Sequence, residues 1–253
     1  MKMHIDTAPV WEAYRTDCEC PLCLLNAGVE QGGVEYFLGE SVMEPDQRIE
    51  VNEKGFCARH FRQMYDAGNR LGLALMSQTY MKQTLDKLRK NAEKQRECAA
   101  AEAGKTVFRR FGGRKGDAMQ GPMDELKALM DTCVFCERVR RTMERYVYTI
   151  LYMYKNEAEF PALLKKSRGL CLKHYAELLE TAPKHLHGDA LKHFVDDLTN
   201  VEAQNLERLS GEVDWFIKKF DYRNQNESWG TSRDAVRRAV NKLRWQVVNE
   251  DED

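Results

Sequence analysis

Proline is scarce, six in 253 residues, and no apolar run approaches the roughly 20 residues that crossing a bilayer requires. The best runs, such as Leu71 to Met76, are far too short, which excludes a membrane span. Charge of one sign is lacking too. Lys and Arg number 39 against 40 Asp and Glu, a formal net charge of −1, so the chain as a whole has no attraction for nucleic acid or an anionic membrane. Sustained apolar–polar alternation is nearly absent, which excludes a protein built mainly of half-buried strands. Catalytic signatures are missing as well: there is no Gly-rich loop feeding a helix with GK[ST], no GxGxxG after a strand, no HExxH and no GxSxG. Paired carboxylates such as Asp196 with Asp197, or Glu157 with Glu159, sit in charged helical contexts typical of a solvated face. The reading therefore leans away from an enzyme, and an active site in a pocket between two halves has no residue to support it.

What is present is a folded composition, 43% hydrophobic and long enough to bury a core without covalent staples, together with eight cysteines. Asp6, Glu12, Arg15 and Asp17 interrupt the first residues, so no signal-peptide core is seen and a cytoplasmic protein is expected. Thiols stay reduced in that compartment, and cysteines at short spacing then read as metal ligands or redox motifs.

Six of the eight cysteines fall in four motifs: Cys20-Pro-Leu-Cys23, Cys57-Ala-Arg-His60, Cys133-Val-Phe-Cys136 and Cys171-Leu-Lys-His174. CxxC precedes CxxH twice, with 33 and then 34 residues between, and Gly55-Phe56 before one CxxH matches Gly169-Leu170 before the other. The chain reads as an internal duplication offset by about 113 residues. Zinc takes four N or S ligands in a tetrahedron, and a CxxC with a CxxH completes such a shell and leaves no open position. The expected sets are Cys20, Cys23, Cys57 and His60 in the first repeat, and Cys133, Cys136, Cys171 and His174 in the second. Each CxxC is expected on a knuckle entering a helix, and each CxxH at a helix start where backbone N–H groups favour thiolates. Two zinc ions are the expected cofactors, with an iron–sulfur cluster as the alternative because Cys18-Glu-Cys20-Pro-Leu-Cys23 has a cluster-like spacing. Asp131 stands where Cys18 would align in the second repeat, so Cys18 reads as a spare thiol or a neighbour of the site. Cys98 reads as a plain helix residue.

Helical spacing is widespread. Cys136, Val139, Met143, Tyr146, Val147, Ile150 and Tyr154 share one face. So do Leu191, Phe194, Leu198, Val201, Asn205 (or Leu206), Leu209, Val213, Phe216 and Phe220, and, in the first repeat, Leu73, Met76, Tyr80, Met81, Leu85 and Leu88. Pro161 and Pro183 fit helix boundaries, and a last helix is expected over Arg233 to Trp245, capped by Ser232 or Thr231. The fold class is all-α: two homologous helical repeats, each pinned by a Cys3His zinc site and packed through long helices. The segments are 1–103 for the first repeat, 104–122 for a Gly-rich basic linker, 123–221 for the second repeat and 222–253 for a C-terminal helix with an acidic tail.

The linker places Lys105, Arg109, Arg110, Arg114 and Lys115 among aromatics and glycines, a pattern of anion or partner contacts, but the neutral balance of the whole chain favours a solvated loop whose basic charge is incidental. The tyrosines at 146, 148, 152 and 154 read as core and boundary residues, and His185, His187 and His193 as solvent-facing. The doubled motifs, with Trp229-Gly230 and the Ala235 to Trp245 ending, resemble a family of cytoplasmic bacterial proteins known mainly as a domain of unknown function. That resemblance covers nearly the whole chain and implies no activity; the transporter-associated label sometimes given to the family finds no support in these residues. Local geometry is also similar to treble-clef zinc modules, but the long helical gaps differ from their hairpin. The functional expectation is a non-enzymatic binding or adaptor protein with structural zinc, acting on a protein or small-molecule partner, with nucleic acid weakly supported and no membrane. The alternative is a thiol-based redox sensor that releases zinc on oxidation, with Cys18 as its extra thiol.

Overall fold

The chain is all-α. A computed structural model describes residues 4–103 and 119–245, and among these there are eleven α-helices and no strand. In order they are α1 (His4–Arg15), α2 (Pro21–Leu38), α3 (Pro45–Lys54), α4 (Ala58–Asp66), α5 (Arg70–Ala103), α6 (Gln120–Met130), α7 (Val134–Asn156), α8 (Phe160–Lys166), α9 (Leu172–His185), α10 (Asp189–Lys218) and α11 (Ala235–Arg244). Among the described residues no helix is long and apolar enough to cross a membrane.

Local chemistry sets the breaks. Pro45 and Pro161 lie in the first turns of α3 and α8, where the missing N–H forfeits no intrahelical bond. Pro183 departs from the expected boundary and lies inside α9, which stops two residues later at His185. Gly55 and Gly169, just before the two CxxH motifs, adopt φ of 63° and 74°. A methyl group would strain that backbone, and would also run into the Tyr80 ring at Gly55 and the Glu202 carboxylate at Gly169. The last helix is shorter than expected, because Asp234 pairs with Arg238 at 2.9 Å instead of capping, and Trp245 turns to φ 63°.

Two compact units form: Met1–Val29 with Arg141–Asp253, here the terminal unit, and Glu30–Arg140, here the central unit. They cut across the segments 1–103 and 123–221. Their boundaries fall inside α2 and α7, so the first CxxC lies in the same unit as the second CxxH, and the second CxxC in the same unit as the first CxxH.

In the terminal unit Tyr14 and Trp11 meet Phe160 edge-on, with ring centroids 5.0 and 5.5 Å apart. Met143, Val147, Ile150 and Tyr154 of α7 are buried at the expected spacing, as are Phe194, Leu198, Val201 and Leu209 of α10. The Tyr154 hydroxyl donates to Asp197 at 2.7 Å and ties α7 to α10. Asn205 holds its own place, its amide donating to the carbonyls of Val201 (2.9 Å) and Ser167 (3.3 Å). Phe220, expected on the α10 face, lies past the helix end and is 73% exposed.

In the central unit Phe37 packs against Phe56 and Phe135, centroids 5.2 and 5.1 Å away, beside Val51, Met64 and Met76. A methyl group at Gly33 of α2 would overlap the Phe135 ring, so glycine admits that ring to the core. The face expected on α5 divides: Met76 is buried, whereas Met81, Leu85 and Leu88 are exposed. Facing explains it. α3 runs along α5 from Thr79, which accepts from Arg48 at 2.9 Å, to Lys87, which donates to the Glu53 carbonyl at 2.9 Å, and α6 meets α5 at Asn91, so Met81, Leu85 and Leu88 lie off the side these helices take.

Candidate metal centres

Eight candidate ligands gather into two groups of four. Cys20, Cys23, Cys171 and His174 meet in the terminal unit, and Cys57, His60, Cys133 and Cys136 in the central unit, with the donor atoms of each group within 4.8 Å of one another. The expected partition is therefore corrected: the first CxxC meets the second CxxH, and the second CxxC meets the first CxxH. Spacing within a motif is local and survives; which pair completes the shell is a matter of how distant segments fold together.

Helix starts position the donors as expected. Cys57 and Cys171 are the N-cap residues of α4 and α9, and Cys20 and Cys133 immediately precede α2 and α7. The N–H of Cys23 donates to Cys20 Sγ, and that of Cys136 to Cys133 Sγ, each at 3.4 Å. These bonds and the helix dipoles favour thiolates.

Distances discriminate between a fitted shell and a casual cluster. In a tetrahedron with Zn–S of 2.3 Å and Zn–N of 2.0–2.1 Å, sulfurs stand about 3.8 Å apart and sulfur to nitrogen about 3.6 Å. In the terminal unit the three sulfurs lie 3.3–3.5 Å from His174 Nδ1, and Cys23 Sγ is 3.6 Å from Cys171 Sγ. In the central unit the sulfurs lie 3.2–3.4 Å from His60 Nδ1, and Cys57 Sγ is 3.7 Å from Cys136 Sγ. Three sulfurs and one imidazole nitrogen thus sit near the corners of a tetrahedron the size of one such ion.

Crowding shows in the ionisation. Burial opposes ionisation of Cys133, but His60 and the backbone N–H of Cys136 outweigh it and lower the thiol to about 6. Burial and then Cys133 push Cys136 up to about 12, while Cys133 and Glu30 overcome burial to raise His60 to about 9. In the terminal unit hydrogen bonds from Cys20 and Cys23 lower Cys171; burial first, then Cys171, raises Cys20, and Cys171 first raises Cys23. Thiolates this close repel unless a cation lies between them, and a divalent ion would displace the protons.

The surroundings of the two groups differ, and the sequence did not single these residues out. In the central unit His60 stacks on Phe135 (centroids 3.9 Å, 8°), and Glu30 Oε2 lies 3.0 Å from its Nε2. With Nδ1 aimed at the sulfurs, Nε2–H donates to Glu30, and Arg59 Nη2, 3.0 Å from the same nitrogen, finds its acceptor in Glu30 Oε1 at 2.8 Å. α2 carries two carboxylates, Glu30 and Glu35, and nothing in the sequence marks Glu30 as the one that faces the site. In the terminal unit the fully buried Lys242 of α11 donates to the carbonyls of Glu19 (3.2 Å) and Arg168, and Glu202 accepts the N–H of Leu170 at 2.8 Å. Glu19 also accepts from Arg208 at 2.7 Å and Arg238 at 3.0 Å.

Cys18 is half-buried, with burial raising its thiol, and belongs to neither group; Cys98 on α5 is likewise outside them. His185 meets Tyr148 edge-on at 4.6 Å, and neither it, His187 nor His193 joins a group of donors among the described residues. Lys105, Arg109, Arg110, Arg114 and Lys115 lie outside the described residues.

No curated protein and no solved structure gives a significant match to the chain. A model of the family of unknown function DUF6062 matches residues 1–250, and the chain belongs to that family.

Proposed function

We propose that each group holds one zinc ion as a closed structural site, and that the protein is a non-enzymatic helical binding protein stabilised by the two ions. The observation that carries this reading is the donor geometry. Each group offers three sulfurs and one nitrogen within 4.8 Å, a full set for one tetrahedral ion with no position left for water or substrate. An iron–sulfur cluster spreads its protein ligands over two or four irons, so its donors would stand farther apart. The Arg70–Ala103 helix supports the binding role, since Leu71, Leu75, Met81, Leu85 and Leu88 are exposed on it, and apolar surface of this kind marks interaction sites.

Elemental analysis of the protein as purified tests the metal: two zinc per chain and no visible colour are expected. Cobalt substitution should give the absorption of tetrahedral sulfur-rich sites, whereas a brown chromophore or fewer than one zinc per chain would count against the reading. A photo-crosslinking residue at Leu85 tests the binding surface in cells; the absence of any crosslinked species would remove it.

A further inference from the structure

We propose that the two groups differ in kind: the central one is an oxidant-responsive zinc site that closes a Cys57–Cys136 disulfide, and the terminal one is a protected structural site. This rests on both groups holding zinc.

Access separates them first. Cys136 is exposed and Cys57 half-exposed, and their sulfurs lie 3.7 Å apart, so an oxidant from solvent meets two neighbouring thiolates on two different segments. Their counterparts in the terminal group are Cys23, which is half-buried, and Cys171, which is enclosed at 1% exposure, so only one sulfur of that pair meets solvent. Lys242 bonds the carbonyls of Glu19 and Arg168, and Glu202 bonds the N–H of Leu170. The chain is thereby held on the approach to both Cys20 and Cys171.

Charge separates them next. Each CxxH carries a cation before its histidine, Arg59 in one and Lys173 in the other. Arg59 is half exposed and bonded to Glu30, with its Nη2 3.0 Å from His60 Nε2, and the Cys136 thiol is among the groups that raise its guanidinium. Lys173 Nζ instead sits 3.2 Å from the centre of the Trp245 ring. A guanidinium beside an exposed thiolate both supports the anion and stabilises the hydroxide that leaves a peroxide. The terminal group has Lys173 directed at an indole, and its other nearby cation, Lys242, is held by the Glu19 and Arg168 carbonyls beside Glu202.

The oxidant class is a hydroperoxide. The Cys136 thiolate attacks one peroxide oxygen; the O–O bond breaks, giving a sulfenic acid on Cys136 and hydroxide. The Cys57 thiolate then attacks that sulfur and expels a second hydroxide as the S–S bond forms. Two thiolates lose two electrons, the peroxide gains them, and two protons from solvent convert the hydroxides to water. With Cys57 and Cys136 joined, only His60 and Cys133 would remain to hold a zinc ion, which would be released as the divalent ion.

The test is one equivalent of hydrogen peroxide per zinc-loaded chain, with released zinc followed by a chromogenic chelator and the disulfide located by peptide mapping. One zinc released and one retained, with a Cys57–Cys136 linkage, is the expected result. R59M, compared at equal zinc loading, should release zinc at least tenfold more slowly, and R59K should recover most of the rate. Retention of both ions, loss of both at one rate, or oxidation of Cys20, Cys23 or Cys171 in preference would overturn the inference while the two zinc sites stand. Protein purified without zinc would overturn both.

Discussion

Cutting the chain between Gly112 and Gly113 distinguishes crossed from sequential ligand pairing. In the crossed arrangement an ion in the terminal unit links Cys23 to Cys171, 148 residues apart, and an ion in the central unit links His60 to Cys133, 73 residues apart. Treated as cross-links, these closures remove about 5 and about 4 kcal/mol of chain entropy from the unfolded state. Either is comparable with the whole net stability of an ordinary domain, about 5–15 kcal/mol. Both links pass across the cut. A site-specific protease sequence inserted between the two glycines, followed by cleavage of the zinc-loaded protein, should leave one two-fragment complex carrying two zinc in native mass spectrometry. Its denaturation midpoint should become dependent on protein concentration, because the closures are no longer intramolecular, and a strong chelator should lower that midpoint further. Sequential pairing would instead give two separable fragments, each with its own zinc. Recovery of a folded one-zinc fragment ending at Gly112 would refute the crossed arrangement.

Three further outcomes follow from particular contacts. G33A places a methyl group in the Phe135 ring, so overpacking should cost about 1–3 kcal/mol in chemical denaturation, and the ring stacked on His60 should shift. E30Q removes the charged acceptor of His60 Nε2–H; a competing chelator should show zinc affinity in the central unit falling about 10–100-fold, with the terminal site unchanged. K242M takes away the ammonium 3.9 Å from Glu202 and two carbonyl bonds to Glu19 and Arg168; breaking such a buried set should cost about 3–5 kcal/mol, read as a drop in thermal midpoint.

Much of the helical architecture was legible because its causes are local. The spacing of Val147, Ile150 and Tyr154, or of Phe194, Leu198 and Val201, is a property of one helix and needs no partner to be read. Gly55 and Gly169 before the two CxxH motifs took the left-handed backbone that only glycine adopts freely. The failures have a common origin in neighbours. Met81, Leu85 and Leu88 have helical spacing, yet among the described residues they lie off the side of α5 that α3 and α6 take. Glu30, Lys242 and Glu202 are ordinary charged residues in the sequence and became interior only when distant segments closed over them.

The candidate metal centres divide in the same way. The sequence by itself determined the candidate ligand residues, their grouping into CxxC and CxxH, and the helix starts that carry them, since two intervening residues fix a reach that hardly depends on the rest of the fold. Only the tertiary structure decided which CxxC meets which CxxH. Loop-closure cost rises just logarithmically with length, so the difference between 33 intervening residues and a separation of 148 is about 1 kcal/mol, too small to dictate the pairing. Packing around Phe135 and His60 in one unit, and around Glu19, Lys242 and Glu202 in the other, supplies several such increments and decides it.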